Sequence, residues 1–279
     1  MAGGPSTGSS PAPADTPGGA PAPSPQGPDS LFGLAGRVAI VTGASAGLGA
    51  RFAQVLARAG ASVVVAARRA DRIEALAHAI GEERALAVPT DVSDPDQVAR
   101  LIDRAVEHFG RLDVLVNNAG ANRIVPAEEE TTDSFSQVVA VNLTGVFTGC
   151  REAARIMLPQ GSGSIVNITS ALGLIGALGM PQASYCASKG GVVNLTRELA
   201  SQWAGRGVRV NAIAPGWFPS EMAAPMFEER GQRYIQRTVP ARRGGAEHEL
   251  DGVLLFLASD ASTYVMGQTI AVDGGWTSV

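Results

Sequence analysis

Short apolar runs alternate with amphipathic helical patterns from about residue 36 to the end of the chain, and this alternation constrains the fold most. The apolar runs predict strands at residues 37–42, 62–67, 85–89, 112–117, 164–169, 208–214 and 269–272. The amphipathic patterns predict helices at residues 48–59, 70–80, 94–109, 133–157, 184–204 and 246–259. Strands that are apolar throughout are buried on both faces, so we expect an α/β fold with a doubly wound parallel sheet.

The first 30 residues have a different composition. They are almost wholly Pro, Ala, Gly, Ser and Thr, and Asp15 and Asp29 are their only charges. Such a segment has too little apolar surface to offset the entropy of ordering. The sequence therefore predicts a disordered tail over residues 1–30 and a single domain over 31–279. A solvated extension is favoured over a docking tail on composition alone.

Charge and cysteine content narrow the partners and the compartment. The formal net charge of −4 gives no reason to expect nucleic acid or an anionic membrane as a partner. Cys150 and Cys186 have neither a paired nor a metal-like spacing, which favours a reducing compartment and argues against a metal site. No apolar run reaches the ~18 residues that span a bilayer, and the N-terminus lacks a signal-peptide pattern. We expect a cytoplasmic location.

A glycine-rich turn joins the first predicted strand to the first long helix. It reads Thr-Gly-Ala-Ser-Ala-Gly-Leu-Gly from residue 42 to 49. Gly43 permits the tight turn, Gly47 lets the backbone approach a pyrophosphate, and Gly49 lets the helix pack closely on the strand. The helix N-terminus then offers free N–H groups and a positive dipole end. This context predicts a dinucleotide cradle.

Two further motifs complete a pattern. Asn-Asn-Ala-Gly follows the fourth strand at residues 117–120, and Tyr185-x-x-x-Lys189 lies near the start of a long helix. With the glycine-rich turn, these motifs resemble the short-chain dehydrogenase/reductase family in its compact single-domain branch. The resemblance covers about residue 36 to the C-terminus. It implies a Rossmann fold and hydride transfer between a nicotinamide and a ketone or secondary alcohol.

Four residues form the candidate reactive group. Tyr185 and Lys189 share one helix face, and we expect the ammonium, together with an oxidised nicotinamide, to lower the pKa of the phenol. Ser170 ends the preceding strand and would hold the substrate oxygen as an oxyanion donor does. Asn142 matches the family's relay asparagine, which helps to hold a water between the lysine and solvent. The gap from Ser170 to Tyr185 exceeds the family's commonest spacing, so Thr169 is the alternative to Ser170.

The end of the second strand indicates the cofactor. NAD-dependent enzymes place an acidic residue there, but this chain has Arg68 and Arg69 and no carboxylate until Asp71. Guanidinium groups pair well with a 2′-phosphate, so NADP(H) is favoured over NAD(H); a basic helix surface is the other interpretation. The resemblance implies the cofactor-binding residues Gly43, Ser45, Gly47, Leu48, Gly49, Arg68, Arg69, Asp91, Val92, Asn117, Ala119, Gly120, Tyr185, Lys189, Pro215, Gly216, Phe218 and Ser220. Asn118 is expected to be structural.

Residues 220–245 would form the family's substrate lid. The apolar side chains of this lid segment would either line a pocket or pack as helical core: Met222, Met226, Phe227 and Tyr234. Its arginines would either steer an acidic substrate or be solvated: Arg237, Arg242 and Arg243. The stretch from residue 215 to 222 is similar to gluconate 5-dehydrogenase-like and 3-oxoacyl-[acyl-carrier-protein] reductase-like members. A 3-oxoacyl, sugar-acid or polyol substrate would follow from that similarity.

The family also implies an assembly. We expect a homotetramer, or a homodimer, with the helices at 133–157 and 184–204 at one interface and Trp276 near another. The alternative to an enzyme is a catalytically silent NADP-binding regulatory protein. The intact set of Asn142, Ser170, Tyr185 and Lys189 argues against that alternative.

Overall fold

The computed structural model describes residues 27–279. The predicted tail lies outside the described residues except for its last four positions, where a short helix, α1 (Pro28–Phe32), begins. Among the described residues, no helix is both long enough and apolar enough to cross a bilayer.

Seven parallel strands form one sheet in the described part of the chain. They are β1 (Val38–Thr42), β2 (Ser62–Ala67), β3 (Ala85–Pro89), β4 (Val114–Asn117), β5 (Gly163–Ile168), β6 (Val208–Pro215) and β7 (Thr269–Val272). Their order is β3-β2-β1-β4-β5-β6-β7. The order in which successive strands are added to the sheet reverses between β1 and β4, which creates a crevice at the carboxyl ends of the strands, where ligands bind in such sheets. The predicted doubly wound sheet is confirmed.

Helices cover both faces of this sheet. After α1 they are α2 (Gly47–Arg58), α3 (Ala70–Ile80), α4 (Pro95–Phe109), α5 (Thr132–Val139), α6 (Gly145–Gln160), α7 (Ala183–Trp203), α8 (Glu229–Thr238) and α9 (Asp251–Ala258). Local signals explain their ends. In α4, Asp94 accepts hydrogen bonds from the amides of Asp96 and Gln97, Pro95 occupies the first turn, and Gly110 ends the helix in a left-handed conformation.

Two apolar layers enclose the sheet. One contains Phe52 and Leu56 from α2, Ile73 from α3 and Leu254 from α9. The other contains Leu101 from α4, Met157 from α6 and Leu199 from α7. Because all five residues of β1 are buried between these layers, the strand that carries the glycine-rich turn is held rigidly at the centre of the sheet.

Two predicted helices are not continuous. The predicted helix at 133–157 is α5 and α6 separated by a π-helical turn, Ala140–Thr144. A side chain at Gly145 would come within 2.6 Å of the carbonyl oxygen of Val92, so the helix passes close to the chain that follows β3. The predicted helix at 246–259 is a short 3-10 turn, Glu247–Leu250, followed by α9.

Candidate active site

A cavity of about 570 Å³ opens at the carboxyl ends of the central strands. The glycine-rich turn, the ends of β2 and β5, the start of α7 and the turn after β6 all line it. All of the predicted cofactor-binding residues line this cavity except Asn117. Of the predicted reactive residues, Ser170, Tyr185 and Lys189 line it and Asn142 does not.

The backbone conformation and close contacts of the glycine-rich turn require glycine. Gly43 and Gly47 have φ values of +67° and +53°, in the left-handed region. A Cβ atom at Gly43 would lie 2.8 Å from Cα of Ala119, and one at Gly49 would collide with the carbonyl oxygen of Gly43. The N-cap residue of α2, Ala46, provides no side-chain hydrogen bond, so the first N–H groups of the helix are available to an anion. This cradle fits the pyrophosphate of a dinucleotide.

The two asparagines after β4 have different surroundings. Asn118 donates from Nδ2 to the carbonyl oxygen of Thr42 (2.9 Å), and its amide donates to Thr42 Oγ1 (3.0 Å). This contact ties β4 to the glycine-rich turn, as expected of a structural residue. Asn117 instead is buried behind the cavity and donates to Asn167 Oδ1 at 2.9 Å. Asn117 does not line the cavity, and its expected contact with the adenosine side stays a prediction.

Of the two arginines that follow β2, the described part of the protein binds the side chain of one and leaves that of the other free. Arg69 donates from Nε (3.1 Å) and Nη2 (2.9 Å) to Ser45 Oγ in the glycine-rich turn. It also forms an ion pair with Glu221 at the start of the lid segment, and Arg72 pairs with the same carboxylate. Within residues 27–279, Arg68 is exposed in the cavity wall and has no hydrogen-bond or ion-pair partner. Arg68 is thus available to a ligand, whereas Arg69 is engaged by the protein.

Asp91, at the end of β3, is held by the turn that it begins. Its Oδ1 accepts hydrogen bonds from the hydroxyl (2.7 Å) and the amide (3.0 Å) of Ser93. The Ser93 hydroxyl is the largest cause that holds the pKa of the Asp91 carboxyl below its ordinary value. Asp91 is therefore an ionised acceptor at neutral pH, as the expected contact with an adenine amine requires.

Tyr185 and Lys189 meet at the other end of the cavity. The Lys189 side chain is buried, and its Nζ donates to the carbonyl oxygen of Ile168 at 2.7 Å. Nζ lies 5.8 Å from the centroid of the Tyr185 ring. A methyl group at Gly120 would lie 3.7 Å from Nζ, so the motif after β4 reaches the reactive group. The spacing of four residues on α7 brings the two side chains together as expected.

Burial moves both pKa values toward the neutral form. It raises the pKa of the Tyr185 phenol above its ordinary value, and the interaction with the Ser170 hydroxyl opposes this only in part. It lowers the pKa of the Lys189 ammonium to about 8. The expectation of a lowered phenol pKa is therefore wrong for the protein's own groups. The physical reason is that the phenol is desolvated while the ammonium is turned toward a backbone carbonyl.

Ser170 and Thr169 have separate roles. Ser170 lies two residues after the end of β5 in the cavity wall, where its Oγ accepts a hydrogen bond from the amide of Leu172 at 3.1 Å. Thr169 donates from Oγ1 to the carbonyl oxygen of Lys189 at 2.8 Å and so holds α7 against β5. Between the two hydroxyls, Ser170 is the one that interacts with the phenol.

Asn142 lies in the π-helical turn, one layer behind the cavity. Its Oδ1 accepts from the amide of Ala121 (2.8 Å), and its Nδ2 donates to the carbonyl oxygen of Ala121 (2.8 Å) and to Ser188 Oγ (3.0 Å). Ser188 in turn donates to the carbonyl oxygen of Tyr185 at 2.8 Å. Ser188 is missed by the sequence reasoning, although its place inside the Tyr-x-x-x-Lys motif is a signal. Asn142 thus positions the residues around Tyr185.

The lid segment contains a 3-10 turn, Ala224–Phe227, followed by α8. Met222 lines the cavity, while Met226 and Tyr234 pack into an apolar cluster beneath it. None of the five arginines in this segment lines the cavity, including Arg237, Arg242 and Arg243, and Arg243 is paired with Glu249. The cavity residues that the sequence reasoning missed include four polar or aromatic ones that only the tertiary fold brings there: Asn122, Gln182, Trp217 and Glu221. Trp276 also lies in the cavity wall.

Nothing in the described part of the chain groups His, Cys, Asp or Glu side chains in a way that would hold a metal ion. The site therefore consists of a phosphate cradle at one end and a phenol, an ammonium and a hydroxyl at the other. Such an arrangement can bind a dinucleotide and exchange a proton with a substrate oxygen.

Comparison with known proteins agrees with this geometry. A family model described as "Enoyl-(Acyl carrier protein) reductase" matches residues 43–277. The chain is 43% identical to cis-4-hydroxycyclohexanecarboxylate dehydrogenase of Sinomonas cyclohexanicum, over 88% of this chain and 98% of that protein. It is 41% identical to 2-dehydro-3-deoxy-D-gluconate 5-dehydrogenase of Escherichia coli, over 88% of this chain and 98% of that protein.

Solved structures show the same architecture. The structure of a gluconate 5-dehydrogenase from Burkholderia cenocepacia in complex with NADP and tartrate superposes with a TM-score of 0.86 at 37% identity, covering 90% of this chain and 99% of that one. A short-chain type dehydrogenase/reductase from Mycobacterium marinum gives a TM-score of 0.85 at 37% identity, covering 89% and 98%. The chain therefore belongs to the short-chain dehydrogenase/reductase family and is an oxidoreductase acting on CH–OH groups.

Proposed function

We propose that this enzyme uses NADP(H) to interconvert a ketone and its secondary alcohol, with Tyr185 as the group that exchanges the proton. The observation that carries the proposal is the placement of Tyr185, Ser170 and Lys189 at one end of a cavity whose other end is the glycine-rich cradle. Relatives are named for sugar-acid, polyol and 3-oxoacyl substrates, which supports a carbonyl or alcohol substrate of small to moderate size.

The protein's own residues supply the proton that the substrate oxygen receives in reduction. A bound nicotinamide would supply the hydride in reduction or accept it in oxidation. The Ser170 hydroxyl holds the substrate oxygen, and the Tyr185 phenol gives its proton to that oxygen as negative charge develops. The raised pKa of Tyr185 keeps the phenol protonated through the neutral range, as reduction requires. The nearby Lys189 ammonium stabilises the phenolate that remains after the transfer.

The choice of NADP(H) over NAD(H) rests on Arg68. No carboxylate stands between β2 and Asp71 to accept hydrogen bonds from ribose hydroxyls, and the Arg68 guanidinium faces the cavity without a protein partner among residues 27–279. A guanidinium is suited to bidentate contact with a phosphate. A similar solved structure of a gluconate 5-dehydrogenase contains NADP, and another, described as NAD(P) dependent, contains NADP at low occupancy; both support the same choice.

The substitution Tyr185→Phe tests the proposal. It removes the proton donor but keeps the ring, so kcat should fall by about 10²–10⁴-fold while the Kd for NADPH stays within about twofold of wild type. Turnover is followed by loss of reduced-nicotinamide absorbance over a panel of ketones, and Kd by fluorescence titration. Undiminished turnover would reject the role of Tyr185. A wild-type chain that binds NADPH and reduces no ketone would favour the silent regulatory protein.

We also infer a homotetramer, or a homodimer, and a reducing compartment. Phe147 on α6 and Phe135 on α5 are exposed large apolar side chains, which supports burial of these helices against a second copy. Cys150 and Cys186 are free thiols, which supports the proposed cytoplasmic location.

The proposed partner of the enzyme, apart from a second copy of the chain, is its small-molecule substrate.

A further inference from the structure

The substrate end of the cavity has an aromatic wall. The rings of Trp217 and Trp276 lie 5.2 Å apart between centroids with 31° between their planes. Both residues line the cavity, and both belong to an apolar cluster that also contains Leu172 and Tyr185. The phenol that exchanges the proton therefore stands at the border of a broad apolar surface, and a substrate held by Tyr185 must rest against this surface.

The same end carries no free positive charge. Within residues 27–279, the cations that line the cavity are Arg68, Arg69 and Lys189. The two arginines lie after β2, at the adenosine end, and the Lys189 ammonium is directed to the carbonyl oxygen of Ile168. A carboxylate on the substrate would therefore find no cation to pair with at this end of the cavity, and burying an unpaired charge is costly.

The polar groups that face the substrate end are uncharged and few. Gln182 and Asn122 line the cavity there. The Oδ1 atom of Asn122 and the Nε1 atom of Trp217 are buried and have no hydrogen-bond partner among the described residues. One free acceptor and one free N–H donor can satisfy two polar groups of a ligand, whereas a polyol brings a hydroxyl on every carbon. The wall thus offers much apolar area and little hydrogen bonding.

We infer that the substrate of the proposed reaction is a compact, uncharged alicyclic ketone or its secondary alcohol, whose ring packs on the Trp217–Trp276 wall. A ring presents its apolar area without losing rotatable-bond entropy, so it gains more from a broad flat wall than an open chain of equal size does. The inference rests on the proposed function, and it sets this enzyme apart from relatives named for gluconate and its derivatives.

Three ketones that differ in charge and in ring structure test the inference. With NADPH, kcat/KM is measured for 4-methylcyclohexanone, for 4-oxocyclohexanecarboxylate and for 5-keto-D-gluconate. The uncharged ring should exceed both carboxylates by about 100-fold or more, because each carboxylate is left unpaired in the site. Equal or higher kcat/KM for either carboxylate overturns the inference and leaves the proposed function standing. No NADPH oxidation with any ketone overturns both.

Two substitutions test which residues of the cavity determine the choice of substrate. Trp217→Leu should lower kcat/KM for 4-methylcyclohexanone by about 10–100-fold and change that for butan-2-one, which spans less of the wall, by less than about threefold. Met222→Arg places a cation at the rim and should raise kcat/KM for 4-oxocyclohexanecarboxylate by about tenfold. Tyr264→Leu, at a fully exposed aromatic residue, is the control, and the Kd for NADPH reports folding. Equal losses for both ketones with Trp217→Leu overturn the inference.

Discussion

At the scale of single residues, burial shifts the pKa values of the two reactive groups in opposite directions. The phenol of Tyr185 and the ammonium of Lys189 are both desolvated, so the pKa of the first rises and the pKa of the second falls to about 8. Reduction needs a protonated phenol and a charged ammonium together. Both conditions hold below pH 8, which makes the protein's own groups suited to ketone reduction near neutrality.

This pair predicts the pH dependence of ketone reduction. kcat/KM should be nearly constant from pH 6 to 7.5 and fall above about pH 8, because Lys189 then loses the charge that stabilises the Tyr185 phenolate. The measurement is a steady-state profile from pH 6 to 10, with the Kd for NADPH determined at each pH as the control. A profile that stays flat to pH 9.5 would contradict the assigned role of Lys189.

Arg68 carries the second prediction at this scale. Arg68→Asp removes the guanidinium and adds a repulsive charge, so the ratio of kcat/KM for NADPH over NADH should fall by about 10–100-fold, as expected for loss of a hydrogen bond to a charged group. Arg104→Asp, on the exposed face of α4, makes the same change in net charge and should leave the ratio within about twofold. Equal shifts in the two variants would show that only net charge matters.

At the scale of elements, the strands follow from the sequence and the irregular turns do not. Continuous apolar runs such as β1 are buried on both faces, so the position of each strand can be predicted from the apolar pattern to within one or two residues. The π-helical turn at Ala140–Thr144 keeps the same apolar pattern as its flanking helices. The turn contains Asn142, which contacts Ala121. The two residues are distant in sequence, so this contact could not be predicted from the sequence.

Neighbouring residues in one motif show the same limit. Asn117 and Asn118 are identical in type and adjacent, yet the Asn117 side chain is buried against Asn167, whereas Asn118 lies in the cavity wall and binds the backbone of the glycine-rich turn. The Asn-Asn-Ala-Gly motif predicts that the segment matters, whereas only the tertiary fold decides which partner each side chain has. Trp217 could not be assigned to the wall either, since its partner Trp276 is distant in sequence.

The N-terminus of α7 is held by a contact between Ser184 and Glu130. Ser184, next to Tyr185, donates from Oγ to Glu130 Oε1 at 2.6 Å and from its amide to Oε2 at 3.3 Å. Glu130→Ala leaves a buried hydroxyl unpaired and removes a carboxylate from a helix N-terminus. The free energy of unfolding should fall by about 1–2 kcal/mol, and kcat should fall by about tenfold as the helix end loosens.

Urea unfolding and steady-state kinetics measure these two effects. Glu129→Ala is the matched control, because Glu129 is exposed and such surface changes stay within about 0.5 kcal/mol. If the two variants lose the same stability and the same kcat, the contact with Ser184 does not anchor α7. A loss of stability with an unchanged kcat would show that the contact supports the fold without positioning Tyr185.

At the scale of the whole molecule, two large apolar side chains are exposed on neighbouring helices of the chain. Phe147 projects from α6 with 42% of its surface exposed, and Phe135 projects from α5 with 37%. Arg151 and Arg155 follow Phe147 by one and two turns of α6, and both pair with the buried carboxylate of Glu152. An apolar centre with a charged border is the usual anatomy of an interface between proteins.

This face predicts the assembly. In a two-fold symmetric contact Phe147 is buried twice, and each buried ring contributes about 1.5–3 kcal/mol. Phe147→Asp should therefore split the proposed tetramer into dimers, or a dimer into monomers, at micromolar concentration, as measured by sedimentation equilibrium. Ala75→Asp, on the exposed face of α3 beside the edge strand β3, adds the same charge elsewhere and should leave the mass unchanged. A Phe147→Asp protein with the wild-type mass would place the interface on another face.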